Sequence, residues 1–135
     1  MADRHSTPTL REWLREAPFS LGLSSGFFGF FAHAGFMTVL EDEGLLPARL
    51  SGSSAGALVA GLWSAGVDAP LIGEELVKVE REHFWDPGVG FGLLRGARFR
   101  ARLDDLLPID TFEKTRRPLV LSVFDVLSRK TRVAR

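Results

Sequence analysis

The residues with the clearest chemical potential are residues 52–56, which read Gly-Ser-Ser-Ala-Gly and match the pattern G-x-S-x-G. This spacing is typical of a sharp turn from a strand into a helix that holds the middle serine exposed and strained. Gly52 and Gly56 let neighbouring backbone approach closely, because glycine has no Cβ. At a helix N-terminus, Ser54 would lie among unpaired N–H groups, and the N–H of Ala55 would help to bind an oxyanion. The pattern therefore predicts Ser54 as an acyl-transfer nucleophile.

A second copy of the same pattern spans residues 22–26, with Ser24 at its centre. The context favours the later copy, because the residues after Ser54 are small and permit close helix packing, whereas Phe27 and Phe28 follow Ser24. The pattern also fits a simpler structural role, in which Ser54 is the N-cap of a helix after a glycine-rich turn. The pattern alone leaves both roles open.

Short apolar runs alternate with helical patterns along the chain. Strands are predicted at residues 19–23, 48–51, 119–124 and 130–133, and helices at residues 10–16, 32–43, 55–63, 71–83 and 100–107. This alternation predicts an α/β fold with a mostly parallel sheet, covered on both faces. Residues 1–18 are predicted to form a polar N-terminal segment, and residues 19–135 the folded domain.

Composition excludes several function classes. The 135 residues suit one domain, and 45% hydrophobic with 25% charged residues is ordinary for a globular protein. A formal net charge of zero argues against a nucleic-acid partner, and the absence of cysteine excludes disulfides and thiolate metal sites. The charged N-terminus is unlike a secretory signal peptide, and the longest apolar stretch, residues 27–40, is too short to span a bilayer. We therefore expect a cytoplasmic protein.

From residue 19 onward, the chain resembles the patatin-like phospholipase family. That family begins with a strand and a glycine-rich oxyanion loop, continues with an Ala-His-x-Gly helix and a Leu-Glu run, and then has a Gly-x-Ser-Ala-Gly turn followed by small residues. The matching segments of this chain are residues 24–29, 32–35, 40–41, 52–56, 65–66, 93–96, 111–113 and 118–125. Their joint order is much more specific than either serine pattern alone.

The resemblance implies a three-layer α/β/α sandwich that hydrolyses lipid or other acyl esters with a Ser-Asp dyad, without a metal or cofactor. Ser54 is then the catalytic residue. The oxyanion and elbow positions are Ser25, Gly26, Phe27, Gly52, Ala55 and Gly56. In a dyad the Asp accepts the serine proton directly, so His33 is interpreted as a packing or hydrogen-bonding helix residue. Peripheral contact with a membrane fits such a substrate.

Three departures from the family pattern separate this chain from it. Ser24 and Ser25 stand where the family usually has glycines, and they would be strained if those positions require positive φ. Phe28 replaces the usual arginine of the oxyanion loop. The family's acid lies in an Asp-Gly motif, and no Asp-Gly dipeptide occurs in the 135 residues. Asp125 matches a different family position, and we interpret it as a turn or cap residue.

The missing acid has consequences for activity and for folding. A positioned general base typically contributes about 10²–10⁴-fold, so we expect little or no esterase activity from this chain. We also expect a sheet truncated at its C-terminal end, whose unpaired edge favours self-association and marginal stability. Four phenylalanines near the oxyanion loop either belong to the core or form part of an exposed apolar surface, and the core interpretation is preferred. They are Phe27, Phe28, Phe30 and Phe31.

Other function classes remain open. The strand, glycines and helix of residues 19–29 suit a nucleotide-binding α/β domain, but G-x-G-x-x-G is not met there and the chain has no Gly-Lys-Ser or Gly-Lys-Thr. A second alternative is a non-catalytic fragment or interaction module that keeps the hydrolase fold. A third is that the natural gene product continues past Arg135 and carries an Asp-Gly motif there.

Overall fold

The structure of the chain is a computed structural model that describes residues 7–26, 28–80 and 96–135. The helices in these ranges are α1 (Leu10–Glu16), α2 (Gly29–Asp42), α3 (Ala55–Ala65), α4 (Ala69–Val77), α5 (Ala97–Leu106) and a short 3₁₀ helix (Phe112–Lys114). The strands are β1 (Ser20–Leu23), β2 (Arg49–Ser53), β3 (Leu119–Asp125) and β4 (Lys130–Ala134). Every predicted strand and helix has a counterpart in the described ranges. α4 ends at Val77, and residues 81–83 of the predicted helix 71–83 lie outside the described residues.

The four strands form one sheet in the order β1-β2-β3-β4. β1 and β2 are parallel, as are β2 and β3, whereas β4 returns antiparallel to β3. The predicted α/β fold with a mostly parallel sheet is thereby confirmed. Because Leu23 lies opposite Gly52 in the register, the loop after β1 and the turn after β2 leave the same edge of the sheet. This topology brings the loop after β1 (residues 24–28), which is the segment predicted as the oxyanion loop and is called so below, beside the serine turn (residues 52–56).

The core lies between the sheet and α2, α3 and α4. Val59, Trp63, Met37 and Ile72 are at most 2% exposed. Eight of the eleven residues of α3 are buried, which explains why this helix is built from small and apolar residues on every side. Gly66, with φ 118°, ends α3 in the left-handed conformation, which glycine adopts without a steric penalty. α3 is therefore a rigid support for whatever its N-terminus carries.

The phenylalanines of the oxyanion loop are mostly not in this core. Phe28 is 73% and Phe31 43% exposed, so the core interpretation is wrong for both. The fully buried residues of α2 begin at Ala34, and in its first turn Phe30 packs partly against the core whereas Phe31 does not. Phe30 is half-buried, and Phe27 lies outside the described residues.

One face of the sheet is buried and the opposite face is exposed in the described part of the chain, so the prediction of a sheet covered on both faces is wrong for these residues. Leu23, Leu50 and Leu119 point into the core, and each is less than 10% exposed. Their neighbours along the strands, including Val120 and Phe124, point the other way and are exposed. None of the helices in the described ranges has the length and apolar character that a membrane crossing needs.

Candidate active site

The serine turn joins β2 directly to α3. Ser53 ends the strand, Ala55 begins the helix, and Ser54 between them has φ 51° and ψ −117°. A positive φ in a residue other than glycine costs on the order of 1–3 kcal/mol and is typical of functional sites. Ser54 is exposed and its side chain makes no cap hydrogen bond to α3. Ser54 therefore has a strained backbone and a solvent-accessible hydroxyl group. The alternative role as a helix N-cap does not match this geometry.

The two glycines that frame Ser54 are needed for space. A Cβ on Gly52 would lie 2.5 Å from Gly56 O and 2.7 Å from Ala57 Cα. A Cβ on Gly56 would overlap the carbonyl group of Leu23. Neither glycine has a positive φ, so each is required by the close approach of backbone. The G-x-S-x-G spacing thus lets β2, α3 and the end of β1 meet without a gap.

Hydrogen bonds to one carbonyl group, that of Ser24, connect the oxyanion loop after β1 to α3 and to α2. Gly56 N–H donates a hydrogen bond to Ser24 O at 3.1 Å, and His33 Nε2 lies 2.9 Å from the same oxygen. His33 is thus a hydrogen-bonding residue of α2. Gly29 N–H donates to Gly26 O at 2.8 Å and closes the loop.

The serines of the loop carry no left-handed strain. Of the loop residues in the described ranges, Gly26 alone has a positive φ, 150°, so the expected penalty for Ser24 and Ser25 does not arise. Ser25 and Gly26 are exposed at the edge of the sheet where the serine turn also lies. Phe27, predicted as an oxyanion residue, lies outside the described residues.

The first turn of α3 offers a donor for an oxyanion. Gly56 N–H is used by Ser24 O, and Leu58 N–H donates to Ser54 O at 3.1 Å. The N–H of Ala55 has no hydrogen-bond partner among the residues that the structure describes. It lies at the positive end of the helix dipole, next to the Ser54 hydroxyl. This arrangement can stabilise negative charge that develops on an acyl oxygen.

Ser54 opens onto an apolar cleft of about 480 Å³. Its lining residues in the described ranges are Phe30, Ser54, Ala55, Ala57, Leu58, Phe99 and Leu103. Ser54 is the one polar side chain among them. Sequence reasoning did not identify the contribution of α5, although Phe99 and Leu103 have the i, i+4 spacing of one helix face.

No carboxylate or imidazole lines this cleft in the part of the chain that the structure describes. Asp125 forms hydrogen bonds within the β3–β4 hairpin, which agrees with its interpretation as a turn residue. Its Oδ1 accepts hydrogen bonds from Leu127 N–H at 3.1 Å and Ser128 N–H at 3.2 Å, and Arg132 Nε donates to Oδ2 at 2.9 Å. Hydrogen bonds, first of all from the Ser128 side chain, lower the pKa of this carboxyl group. Within the described ranges, no cluster of three or more His, Asp or Glu could hold a metal ion.

The chain was also compared with protein-family models. A family model described as patatin-like phospholipase matches residues 21–134. The matched range contains the oxyanion loop, the serine turn and all of β2, β3 and β4. No curated protein matches the chain significantly.

Proposed function

The chain belongs to the patatin-like phospholipase family, and from this premise we propose that it acts on lipid acyl esters with Ser54 as the nucleophile. The observation that carries the proposal is the position of Ser54 between β2 and α3, at the opening of an apolar cleft. Its backbone is strained, and its hydroxyl group makes no hydrogen bond to the helix N-terminus. An apolar cleft with one polar group suits a substrate that is mostly hydrocarbon and reacts at one bond.

The proposed reaction is acyl transfer to Ser54 followed by hydrolysis. The Ser54 oxygen attacks the ester carbonyl carbon, and the carbonyl electron pair moves onto the oxygen beside the N–H of Ala55. Collapse of this intermediate expels the alcohol, which takes up the proton that Ser54 loses. Water then attacks the acyl-serine, which releases the fatty acid and restores the hydroxyl group.

The proposed reaction requires removal of the proton from the Ser54 hydroxyl group, and for this step the described residues of the cleft supply no general base. No described residue that lines the cleft is a base. Without a positioned base we expect hydrolysis to be slower by about 10²–10⁴-fold than in a complete dyad. The same observation favours a second candidate function, a non-catalytic interaction module that retains the family fold.

Labelling with a fluorophosphonate probe separates these two functions. We expect the probe to add one phosphonyl group to Ser54, measured by intact mass and peptide mapping. Ser54→Ala should abolish the adduct. Ser24→Ala is the matched control, because it removes the other G-x-S-x-G hydroxyl but keeps the carbonyl group that binds Gly56 N–H. Absence of any adduct on the wild-type chain would favour the interaction module.

We also propose that the chain self-associates through the exposed sheet face. Val120 and Phe124 of β3 and Val133 of β4 are 39%, 61% and 63% exposed, and they lie on the same face in the observed register. β1 and β4 are edge strands without a further partner in the described part of the chain.

Phe124→Lys should therefore weaken self-association about tenfold or more, since buried aromatic residues dominate interface energies. Sedimentation velocity over a concentration series measures this effect. Leu127→Lys is the control, because Leu127 is 98% exposed in the β3–β4 turn. A wild-type chain that is monomeric at all concentrations would contradict the proposal.

Cytoplasmic location and peripheral membrane contact remain predictions. Contact with a membrane is supported by two exposed side chains that flank the cleft residue Phe30, those of Phe28 at the N-cap of α2 and of Phe31 in its first turn. Co-sedimentation with phosphatidylcholine vesicles tests it, and Phe28→Ser should lower the bound fraction.

A further inference from the structure

The turn of the β3–β4 hairpin carries the two most exposed large apolar side chains in the described part of the chain. Val126 is 75% and Leu127 98% exposed, and both lie between the end of β3 at Asp125 and the start of β4 at Lys130. Single exposed apolar residues are normal on a protein surface. Two consecutive ones at the end of a hairpin instead form a projecting apolar tip.

The same hairpin is strongly basic. Residues 126–135 contain four cationic side chains and no Asp or Glu, although the formal net charge of the whole chain is zero. Arg132 is neutralised by Asp125, because its Nε donates to Asp125 Oδ2 at 2.9 Å. The side chains of Arg129 and Lys130, which adjoin the tip, are exposed and form no ion pair with any residue that the structure describes. The apolar tip is therefore bordered by two uncompensated positive charges.

One of these cations has a strained backbone. Arg129 has φ 53°, and among the described residues other than glycine only Ser54 also has a positive φ. Glycine adopts this conformation without a steric penalty, so arginine at this position is destabilising relative to glycine. Strained positions of this kind are typical of functional sites. The strain at Arg129 therefore favours a role of its side chain other than folding.

The backbone of the turn is suited to an apolar environment. Leu127 N–H and Ser128 N–H donate hydrogen bonds to Asp125 Oδ1 at 3.1 and 3.2 Å. These two N–H groups already have a partner inside the hairpin, so removal of the tip from water would not leave them unsatisfied. The carboxylate that accepts from them is itself paired with Arg132. The tip can therefore enter a lipid boundary without the usual cost of unpaired backbone groups.

The hairpin leaves the sheet at the edge where the serine turn lies. β1, β2 and β3 are parallel, so their C-terminal ends share one edge. Ser53 lies opposite Ser122, and β3 continues to Asp125, about 10 Å farther along the strand. The exposed Phe28 follows β1 at the same edge. In the order of the strands, Ser54 lies between two apolar projections, and a flat surface that contacts both of them would cover the opening of its cleft.

We propose that the β3–β4 hairpin docks the chain on anionic lipid surfaces, with Val126 and Leu127 at the acyl boundary and Arg129 and Lys130 among the anionic headgroups. Apolar side chains gain by burial at this boundary, and each cation near an anionic surface strengthens binding about fivefold. The inference rests on the membrane contact in the proposed function, but it does not require Ser54 to be a nucleophile. A nucleic acid is a poorer partner, because residues 126–135 contain no aromatic side chain on which a base could stack.

Co-sedimentation with vesicles of two compositions tests the proposal. The vesicles are phosphatidylcholine alone and an equal mixture of phosphatidylcholine and phosphatidylserine, and a sample without vesicles corrects for chain that pellets by self-association. We expect the wild-type chain to bind the anionic vesicles about 20-fold more tightly, because two cations contribute about fivefold each. High salt should remove most of this preference. Equal affinity for the two kinds of vesicle would overturn the proposal.

Substitution of the two cations tests the charged part of the hairpin. Arg129→Gly and Lys130→Gln should each lower the affinity for anionic vesicles about fivefold and leave the affinity for phosphatidylcholine vesicles unchanged. Arg129→Gly also relieves the positive φ, so weaker binding would not come from poorer folding. Arg49→Gln is the matched control, because Arg49 is an exposed cation at the start of β2, on the opposite edge of the sheet, and it should bind like the wild type. Wild-type affinity of Arg129→Gly for anionic vesicles would contradict the docking role.

Substitution at the tip tests the apolar part. Leu127→Ser should lower the affinity for both kinds of vesicle about tenfold, because burial of an apolar side chain does not depend on lipid charge. Leu10→Ser is the matched control. Leu10 is 60% exposed, but α1 precedes the start of β1 and its Arg11 contacts Glu43 after the end of α2, so Leu10 lies away from the edge of the serine turn. Equal binding by these two variants would overturn insertion of the tip.

Separate readouts distinguish failure of the hairpin from failure of the proposed function. Ser54→Ala should bind both kinds of vesicle like the wild type, because fluorophosphonate labelling alone reports on the nucleophile. If Phe28→Ser weakens vesicle binding but the hairpin variants do not, membrane contact stands and docking by the hairpin is overturned. If a single-stranded oligonucleotide binds more tightly than the anionic vesicles, and Arg129→Gly but not Leu127→Ser weakens that binding, the cations belong to a nucleic-acid site and lipid docking is overturned.

Discussion

Gly52→Ala is expected to lower the free energy of unfolding by about 3 kcal/mol, at the upper end of the usual cost of overpacking. The added Cβ would lie 2.5 Å from Gly56 O and 2.7 Å from Ala57 Cα. Both are backbone atoms of a helix that is buried on nearly every side, so neither can move aside alone. Relief of the overlap would require α3 to shift away from β2, and Ser54 would shift with it.

Denaturant unfolding measures this loss, with fluorophosphonate labelling as a second readout that should also fall. Gly61→Ala is the matched control, because it adds the same methyl group to the same helix where nothing lies within 4 Å. Its expected effect has the opposite sign, a gain of up to about 1 kcal/mol from higher helix propensity. A Gly52→Ala chain as stable as the wild type would show that β2 and α3 are not in close contact.

Glu41→Ala is expected to lower the free energy of unfolding by about 2 kcal/mol, because two hydrogen bonds to a charged group are lost. Trp63 Nε1–H donates to Glu41 Oε1 at 2.6 Å, and Ala69 N–H donates to Glu41 Oε2 at 2.9 Å. Trp63 is 2% and Ala69 0% exposed, so both donors would be left in the interior without a partner. Glu41 thereby connects α2 with the end of α3 and with the first turn of α4.

Thermal and denaturant unfolding of the variant provide the measurement. Asp42→Ala is the control, since Asp42 is exposed on the next position of α2, and its effect should stay within about 0.5 kcal/mol. The loss of unfolding free energy for Glu41→Gln should lie between those of Glu41→Ala and Asp42→Ala. The amide oxygen can accept a hydrogen bond from one of the two donors, whereas the amide NH₂ group faces the other donor. Equal stability of the Glu41→Ala and Asp42→Ala chains would rule out this role of the carboxylate.

The serine turn is well predicted from the sequence because most of its causes lie in one contiguous segment; the exception is Gly56, whose Cβ would overlap the carbonyl group of Leu23 on β1. Gly52 and Gly56 are spaced so that each faces a backbone segment within a few residues or on the neighbouring strand, and no distant side chain is needed to specify the turn. The order of strands and helices is predicted for the same reason, because the spacing of apolar residues within each segment indicates whether that segment is a strand or a helix. The positive φ of Ser54 follows from this spacing.

The cleft and its surroundings are less predictable because they depend on contacts between distant segments. Phe99 and Leu103 meet Ser54 only through the packing of α5, and nothing in the local pattern of residues 97–106 indicates which helix they face. Phe28 and Phe31 are apolar but exposed, because the first turn of α2 extends past the core. Composition alone favours burial for such residues, and only the position of the helix decides otherwise.

The interaction that joins Glu41 to Trp63 and Ala69 illustrates the same limit. The Leu-Glu run at residues 40–41 belongs to the family pattern, but the sequence does not reveal its physical reason. That reason requires the indole of α3 and the first N–H of α4 to converge on one carboxylate, which involves residues 22 and 28 positions away.

The most direct measurement of the central claim is a crystal structure of the chain after reaction with the fluorophosphonate probe. We expect the phosphorus atom on Ser54 Oγ, Ser54 with a positive φ near 51°, and a phosphoryl oxygen within hydrogen-bond distance of the N–H of Ala55. A Ser54 with extended backbone, or with its oxygen enclosed in the interior away from the α3 N-terminus, would contradict the account.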